Sequence, residues 1–119
     1  MLHSPEIIWK GTIPVSSRFD DIYFSKDGGA LETKHVFLTG NQLPEKWNEK
    51  ERFTIFEFGF GFGLNFIETW KLFEESSDGL LFYFAVEKYP VKKSDLAIIR
   101  ENYPEHKDKY NKLIEHFPH

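Results

Sequence analysis

The sequence predicts an α/β fold of the βαβ type, from the order of three segments in its second half. A β-branched and aromatic run, FTIFEF (53–58), leads through closely spaced glycines into GLNFIETWKLFEE (63–75), whose apolar residues recur at helical spacing. After the breaker SSDG, a nearly continuous apolar run, LLFYFAVE (80–87), is typical of a strand in a parallel sheet. Strand, turn, helix and strand in this order form a βαβ unit, whose crossover is expected to be right-handed.

The segments before this unit predict short strands followed by a helix. Residues 1–30 are rich in turn formers, and the apolar pieces EIIW (6–9) and DIYFS (21–25) are interpreted as short strands or hairpins. ALETKHVFLTGN (30–41) has helical spacing and a Gly-Asn helix stop. QLPEKWNEKER (42–52) is interpreted as a polar connector.

Two more helices are predicted after the second strand. KSDLAIIRENY (93–103) has Ser94 or Asp95 near its start. PEHKDKYNKLIEHF (104–117) places Pro104 in the first turn, where the missing N–H costs least. The chain therefore divides into an amino-terminal β-hairpin and helix extension (1–50) and a βαβ-containing part (51–119).

Composition indicates a folded protein without thiol chemistry. Of 119 residues, 40% are hydrophobic and none is cysteine, so disulfides and thiolate catalysis are excluded. No apolar run approaches the roughly 20 residues that cross a bilayer, and no signal peptide is recognised, so a cytoplasmic protein is expected. The net charge is −4, and the segment 88–119 is only weakly basic. Charge alone therefore does not indicate a nucleic-acid binder.

The three glycines after the first strand, Gly59, Gly61 and Gly63, indicate a ligand-binding turn. Such a turn lies at the carboxyl edge of a parallel sheet, where ligands bind, and glycine lets the backbone turn sharply. The dinucleotide pattern G-x-G-x-x-G fails in both registers, because its last position holds Leu64 or Phe66. A nicotinamide-dependent oxidoreductase is therefore disfavoured.

An adenosine cofactor without a pyrophosphate, S-adenosylmethionine, fits the turn better. Its ribose needs an acidic residue at the end of the next strand, and Glu87 occupies that position. A carboxylate can accept hydrogen bonds from both hydroxyls of a vicinal diol. Glu57 is a second acid at the same edge. The competing interpretation is a twisted strand with a bulge at its glycines and an ordinary acid at a strand end.

Several motifs resemble one known family, the amino-terminal methyltransferase domain of the bacterial tRNA 5-methylaminomethyl-2-thiouridine biosynthesis proteins (MnmC-type). The matching stretches run in family order through nearly the entire chain. They are GTIPVSSRFDDIYFS, LETKHVFLTGNQLP, EFGFGFGLNF, VEKYPVKKSDL and YPEHKDKYNKLIEHFP. Their conjunction is far more specific than a glycine-rich turn alone.

The resemblance implies a Rossmann-like fold and methyl transfer from S-adenosylmethionine to the exocyclic amine of an aminomethyl-uridine at the wobble position of tRNA. By position, it implies a cofactor-lining set of Glu57, Gly59, Gly61, Gly63, Asn65, Glu87 and Lys88. It further implies that Asp20, Asp21 and Tyr23 lie near the reacting end, with Asp21 and Tyr23 as candidate catalytic residues.

The sequence departs from the family in two places. Phe62 replaces a small hydroxyl residue between the second and third glycines, and a carboxyl-terminal motif of the LDGF-P type, which supplies an aspartate, is absent. The chain thus resembles the first half of a methyltransferase, and the alternative is an inactive domain that serves as an interaction or assembly module. Two parallel-type strands alone would leave sheet edges open. Either the amino-terminal segment supplies further strands, or the chain pairs with a missing half or with another copy as a homodimer, and a tendency to dimerise or aggregate is predicted.

The remaining histidines and tryptophans indicate packing. None of the five histidines has metal-ligand spacing joined to a carboxylate, so no metal site is predicted. Trp9, Trp47 and Trp70 are interpreted as core or interface anchors, because aromatic side chains mainly supply buried area.

Overall fold

The computed structural model describes residues 7–10, 13–16 and 37–118. Backbone contacts divide the chain into two compact units. The first combines Met1–Gly28 with Lys88–His119, and the second is the continuous segment Gly29–Glu87.

Four strands, three α-helices and two 3₁₀ helices lie within the described residues. In chain order they are β1 (Ile7–Lys10), β2 (Ile13–Ser16), a 3₁₀ helix (Glu45–Trp47), β3 (Arg52–Phe58), α1 (Leu64–Ser76), β4 (Leu80–Val86), α2 (Lys93–Arg100), a second 3₁₀ helix (Pro104–His106) and α3 (Lys107–His116). The predicted order of strand, glycine turn, helix, strand and two helices from residue 53 onward is confirmed, and the protein is α/β.

The second unit contains the predicted parallel sheet. Strands β3 and β4 pair in parallel, with Phe53 opposite Leu81 and Glu57 opposite Ala85, and α1 connects them. The carboxyl ends of both strands therefore meet at one edge, beside the glycine turn that precedes α1.

Alternation along the strands gives the sheet two different faces. Phe53, Ile55 and Leu81 are partly buried and pack against a core that includes Phe73 of α1. Because successive strand side chains point to opposite faces, the even-numbered residues lie on the other face. That face exposes large apolar side chains, namely Phe56, Phe58, Leu80, Phe82, Phe84 and Val86.

Trp47 is the centre of the core in this unit. Its ring is fully buried and makes edge contacts with Phe53 and Phe73, at centroid distances of 5.7 and 4.9 Å. Its indole N–H donates to Ser76 Oγ at 2.9 Å, so the buried polar atom is satisfied. The prediction of Trp47 as a core anchor is confirmed. The segment 42–52, interpreted as a polar connector, also contains a short 3₁₀ helix, and Trp47 at its end lies in the core.

In the first unit, β1 and β2 form an antiparallel pair, with Trp9 opposite Pro14. The strand predicted at EIIW is confirmed. The segment IPVS, within the region rich in turn formers, is also a strand and pairs with β1. The strand predicted at DIYFS, and most of the helix predicted over residues 30–41, lie outside the described residues.

Helices α2 and α3 confirm the two carboxyl-terminal predictions. Asp95 Oδ2 accepts the backbone N–H of Lys92 at 3.2 Å, which caps the start of α2. Pro104 opens the 3₁₀ turn that leads into α3. No helix in the described part of the chain is long and apolar enough to cross a membrane.

Candidate functional site

All three glycines after β3 adopt left-handed backbone conformations. Their φ angles are +85° at Gly59, +58° at Gly61 and +76° at Gly63. A Cβ atom added at Gly59 or Gly61 would meet nothing within 4 Å. The conformation of the chain, and not crowding, therefore requires glycine at these two positions. The open space beside them leaves room for a ligand to approach the backbone.

Backbone hydrogen bonds fix the turn between the sheet and the helix. The Gly59 N–H donates to the Val86 carbonyl at 2.8 Å, which extends the pairing of the two strands by one residue. The Gly63 N–H donates to the Phe60 carbonyl at 3.0 Å, and α1 begins at the next residue. The amino-terminal end of α1 carries a partial positive charge and lies at the end of this turn.

Glu57, the penultimate residue of β3, is a buried acid whose two carboxyl oxygens each accept a hydrogen bond. Only 7% of the residue is exposed. Asn65 Nδ2, in the first turn of α1, donates to Oε2 at 2.7 Å, and the Tyr83 hydroxyl of β4 donates to Oε1 at 2.9 Å. Three consecutive elements of the βαβ unit therefore converge on one carboxyl group.

The environment shifts the pKa of both Glu57 and Tyr83 upward. Burial is the main cause of the raised pKa of Glu57, and the nearby Glu87 carboxylate adds to it, while the bonds from Asn65 and Tyr83 act in the opposite direction. The pKa of Tyr83 is raised by burial and by the negative charge of Glu57, to which it donates. Tyr83 therefore remains a neutral hydrogen-bond donor at physiological pH.

Glu87 follows β4 directly and contacts the glycine turn. Its Oε1 accepts the backbone N–H of Gly61 at 2.9 Å, across 26 positions of sequence. The two acids predicted for this edge, Glu57 and Glu87, are thus both bonded to groups in or beside the turn. This arrangement offers carboxylate oxygens and open backbone to a ligand that carries hydroxyls or positive charge.

Tyr83 is a site residue that the sequence reasoning missed. Its ring contacts Phe66 of α1 at 5.0 Å between centroids, and Phe66 in turn contacts Trp70 at 5.6 Å. These contacts fix the ring, and hence the position of its hydroxyl. A signal was present, since Tyr83 is the one polar-tipped residue within the apolar run LLFYFAV and shares the face of Glu57.

The other predicted site residues have different outcomes. Asn65 lies in the site, but its amide binds Glu57. Lys88 follows Glu87 in the chain and belongs to the first unit, where its ammonium lies 5.5 Å from the ring centroid of Tyr89. The predicted reacting-end residues, Asp20, Asp21 and Tyr23, lie outside the described residues. Phe62 is only 2% exposed, so its ring does not project into solvent beside the glycines.

A separate cavity of about 640 Å³ lies at the opposite edge of the sheet. Its lining includes Glu51, Glu74, Asp78 and Gly79, and it is acidic and open. This cavity lies where the two strands begin, whereas ligands of α/β proteins bind where the strands end, so we place the candidate site at the glycine turn. Among the described residues, no group of acidic and histidine side chains could hold a metal ion.

No family model matches the chain, but curated proteins do. A tRNA 5-methylaminomethyl-2-thiouridine biosynthesis bifunctional protein MnmC from Legionella pneumophila (strain Corby) is 42% identical over 120 residues, or 95% of this chain. The MnmC proteins of Aliivibrio fischeri and Vibrio campbellii are 44% and 41% identical over 88% and 98% of the chain. The chain spans 17–19% of the length of these three relatives.

The matches cover nearly the entire chain and therefore extend over both units and the glycine turn. The resemblance inferred from the motifs is therefore confirmed. Over this segment, the chain is similar to the MnmC-type tRNA 5-methylaminomethyl-2-thiouridine biosynthesis proteins.

Proposed function

We propose that this chain contains the S-adenosylmethionine-binding part of a methyltransferase fold that acts on tRNA. The observation that carries the proposal is the convergence of the left-handed glycine turn with two carboxylates at the carboxyl edge of a parallel sheet. Ligands of α/β proteins bind at this edge. The names of the relatives support tRNA as the class of substrate.

In this proposal each site residue has a defined role. Gly59 and Gly61 let the nucleoside approach the backbone, because nothing occupies the space where a Cβ would lie. Glu87 accepts hydrogen bonds from the ribose hydroxyls while it also accepts the Gly61 N–H. Glu57, oriented by Asn65 and Tyr83, places negative charge where a cationic cofactor is stabilised.

The bound cofactor would supply an electrophilic methyl group on a positively charged sulfur. The acceptor would be the neutral amine of an aminomethyl-uridine, and holding it in line with that methyl group would supply most of the rate enhancement. The predicted residues for this end are Asp21 and Tyr23. The partner would be tRNA, approached by the weakly basic segment 88–112.

Calorimetric titration with S-adenosylmethionine and S-adenosylhomocysteine tests the cofactor site. We expect micromolar binding to the wild-type chain and its loss in Glu87→Ala, because the ribose hydroxyls then lose their acceptor. Glu87→Gln separates charge from hydrogen bonding, since its amide oxygen can still accept the Gly61 N–H. Glu115→Ala, an exposed acid on α3, is the matched control and should bind as the wild type does.

Two outcomes would contradict the proposal. One is the absence of binding to a chain whose far-UV circular dichroism shows it to be folded. The other is equal binding by the wild type and Glu87→Ala. The second candidate function, an interaction module that keeps the fold without catalysis, would then be favoured by the exposed apolar face of the sheet.

A further inference from the structure

The three glycines of the turn differ in what accepts their amide protons. The N–H groups of Gly59 and Gly63 donate to backbone carbonyls, at 2.8 and 3.0 Å. The Gly61 N–H donates instead to a side chain, Oε1 of Glu87, at 2.9 Å. The middle of the turn is therefore joined to a residue that is 26 positions away and follows a different strand.

Glycine alone does not fix the backbone conformation at position 61, where φ is +58°. Glycine adopts positive and negative φ angles about equally well, so it permits this conformation without selecting it. The hydrogen bond to Glu87 supplies the selection, because it is made in this conformation and would be lost if the peptide unit rotated away. A bond to a carboxylate oxygen is also stronger than a bond between two neutral groups.

The pairing of the two strands fixes the point from which Glu87 reaches the turn. Its chain neighbour Val86 pairs with Phe58 in the last position of the parallel sheet, and the Val86 carbonyl accepts the Gly59 N–H. The Glu87 backbone therefore leaves the sheet at a defined place beside the turn, and its carboxylate contacts Gly61 from the side of β4. A side chain anchored in this way can stabilise one conformation of the turn before any ligand binds.

From these contacts we propose that Glu87 is a positioning residue for the glycine turn, whose carboxylate holds Gly61 in the left-handed conformation in the free chain. This role is separate from the recognition of ribose hydroxyls, which acts on the ligand directly. Because one carboxylate serves both roles, a ribose bound to Glu87 should also stabilise the turn. That consequence rests on the proposed function, whereas the positioning role does not.

Amide hydrogen exchange in the 119-residue chain, followed residue by residue by NMR, tests the positioning role without a ligand. In the wild type we expect the Gly61 amide to be protected, as those of Gly59 and Gly63 are. In Glu87→Ala its exchange should accelerate by on the order of tenfold or more, because a hydrogen bond to a charged acceptor is lost. Glu87→Gln should restore most of the protection, because its amide oxygen can accept the same N–H.

Gly59 and Gly63 are internal controls, because their acceptors are backbone carbonyls that these substitutions leave in place. Glu115→Ala, an exposed acid of α3, is the control variant and should leave the exchange of Gly61 unchanged. Unchanged exchange of Gly61 in Glu87→Ala would overturn the proposal. So would an equal loss of protection at all three glycines, which would report opening of the sheet edge and not the loss of one bond.

Adenosine and dideoxyadenosine, which lacks the vicinal diol, test the coupling between ribose and turn. We expect adenosine to slow the exchange of Gly61 further in the wild type but not in Glu87→Ala, and dideoxyadenosine to slow it in neither. Faster exchange with adenosine would overturn the coupling, since the carboxylate would then leave the turn for the ribose. If no amide responds to adenosine or S-adenosylmethionine while the protection of Gly61 still depends on Glu87, the proposed function fails and the positioning role stands.

Discussion

At the residue scale, the hydroxyl of Tyr83 connects the core to the candidate site. It donates to Glu57 Oε1 from a ring fixed against Phe66, so it orients the carboxylate and opposes the rise in its pKa. Tyr83 is therefore a positioning residue in the proposed function. Its effect on a ligand would be transmitted through Glu57.

Replacing Tyr83 with phenylalanine should move the pH dependence of cofactor binding upward. Affinity for a cationic cofactor should fall as pH decreases through the pKa of Glu57, because protonation removes the negative charge. Without the hydroxyl that lowers this pKa, the fall should occur at higher pH in Tyr83→Phe. Calorimetric titrations over a pH series would measure it.

Tyr89→Phe is the control for the loss of a phenolic hydroxyl that does not donate to Glu57, whose side-chain donors are Asn65 and Tyr83. A profile of Tyr83→Phe that coincides with those of the wild type and the control would refute the positioning role. A change in affinity that is equal at every pH would indicate only a packing effect.

At the scale of elements, two connections of the βαβ unit depend on glycine for different reasons. Gly61 has a left-handed φ of +58° and open space where its Cβ would lie. Gly79 precedes β4, and a Cβ there would lie 2.7 Å from the backbone carbonyl oxygens of both Lys50 and Glu51. Glycine is therefore needed at position 61 for its left-handed backbone conformation, and at position 79 because another backbone segment lies too close for a Cβ atom.

Alanine substitution should separate these two causes. Gly61→Ala should reduce the free energy of unfolding by about 1–2 kcal/mol, the cost of a left-handed conformation for an L-residue. Gly79→Ala should reduce it more, because the backbone of Lys50–Glu51 must shift. It also threatens the bond from the Leu80 N–H to the Glu51 carbonyl, 2.8 Å long. Urea denaturation of both variants would measure the difference, and a smaller loss for Gly79→Ala would contradict the assignment.

At the scale of the whole molecule, the raised pKa of Glu57 predicts how stability depends on pH. The folded state binds this proton more tightly than the unfolded state, in which the pKa is near its ordinary value of 4.5. The contribution of Glu57 to stability is therefore fully present below about pH 4.5 and is lost as pH rises through the raised pKa.

The variant Glu57→Gln isolates this contribution from those of the other carboxyl groups. Relative to Glu57→Gln, the wild type should be most stable at low pH and should lose that advantage as pH rises, because only the wild type must keep a buried charge. Denaturation at a series of pH values would show the two stabilities diverging. Curves that stay parallel would mean that burial does not perturb Glu57.

Much of the fold was predictable because its signals are local. The three glycines, the acids at two strand ends and the helical spacing of residues 64–76 depend on the chain itself, and the structure brings Glu57, Gly61 and Glu87 together. Two features could not be predicted in this way. One is the 3₁₀ helix that carries Trp47, because the polar composition of its segment gave no sign of a helix. The other is the hydrogen bond from Tyr83 to Glu57, because it joins residues distant in sequence.

The two faces of the β3–β4 sheet have a consequence for the accuracy of folding. A register shift of one residue between paired strands moves every side chain of the shifted strand to the opposite face of the sheet. Such a shift is normally unfavourable because one face of the sheet is buried and the other is not. Here most side chains on both faces are apolar, so hydrophobic burial discriminates weakly between the alternatives. The bond from Tyr83 to Glu57 exists only when both residues lie on the same side of the sheet. The hydrogen bond between Tyr83 and Glu57 in the candidate site would thus also favour the native register of β3 and β4 over a register shifted by one residue.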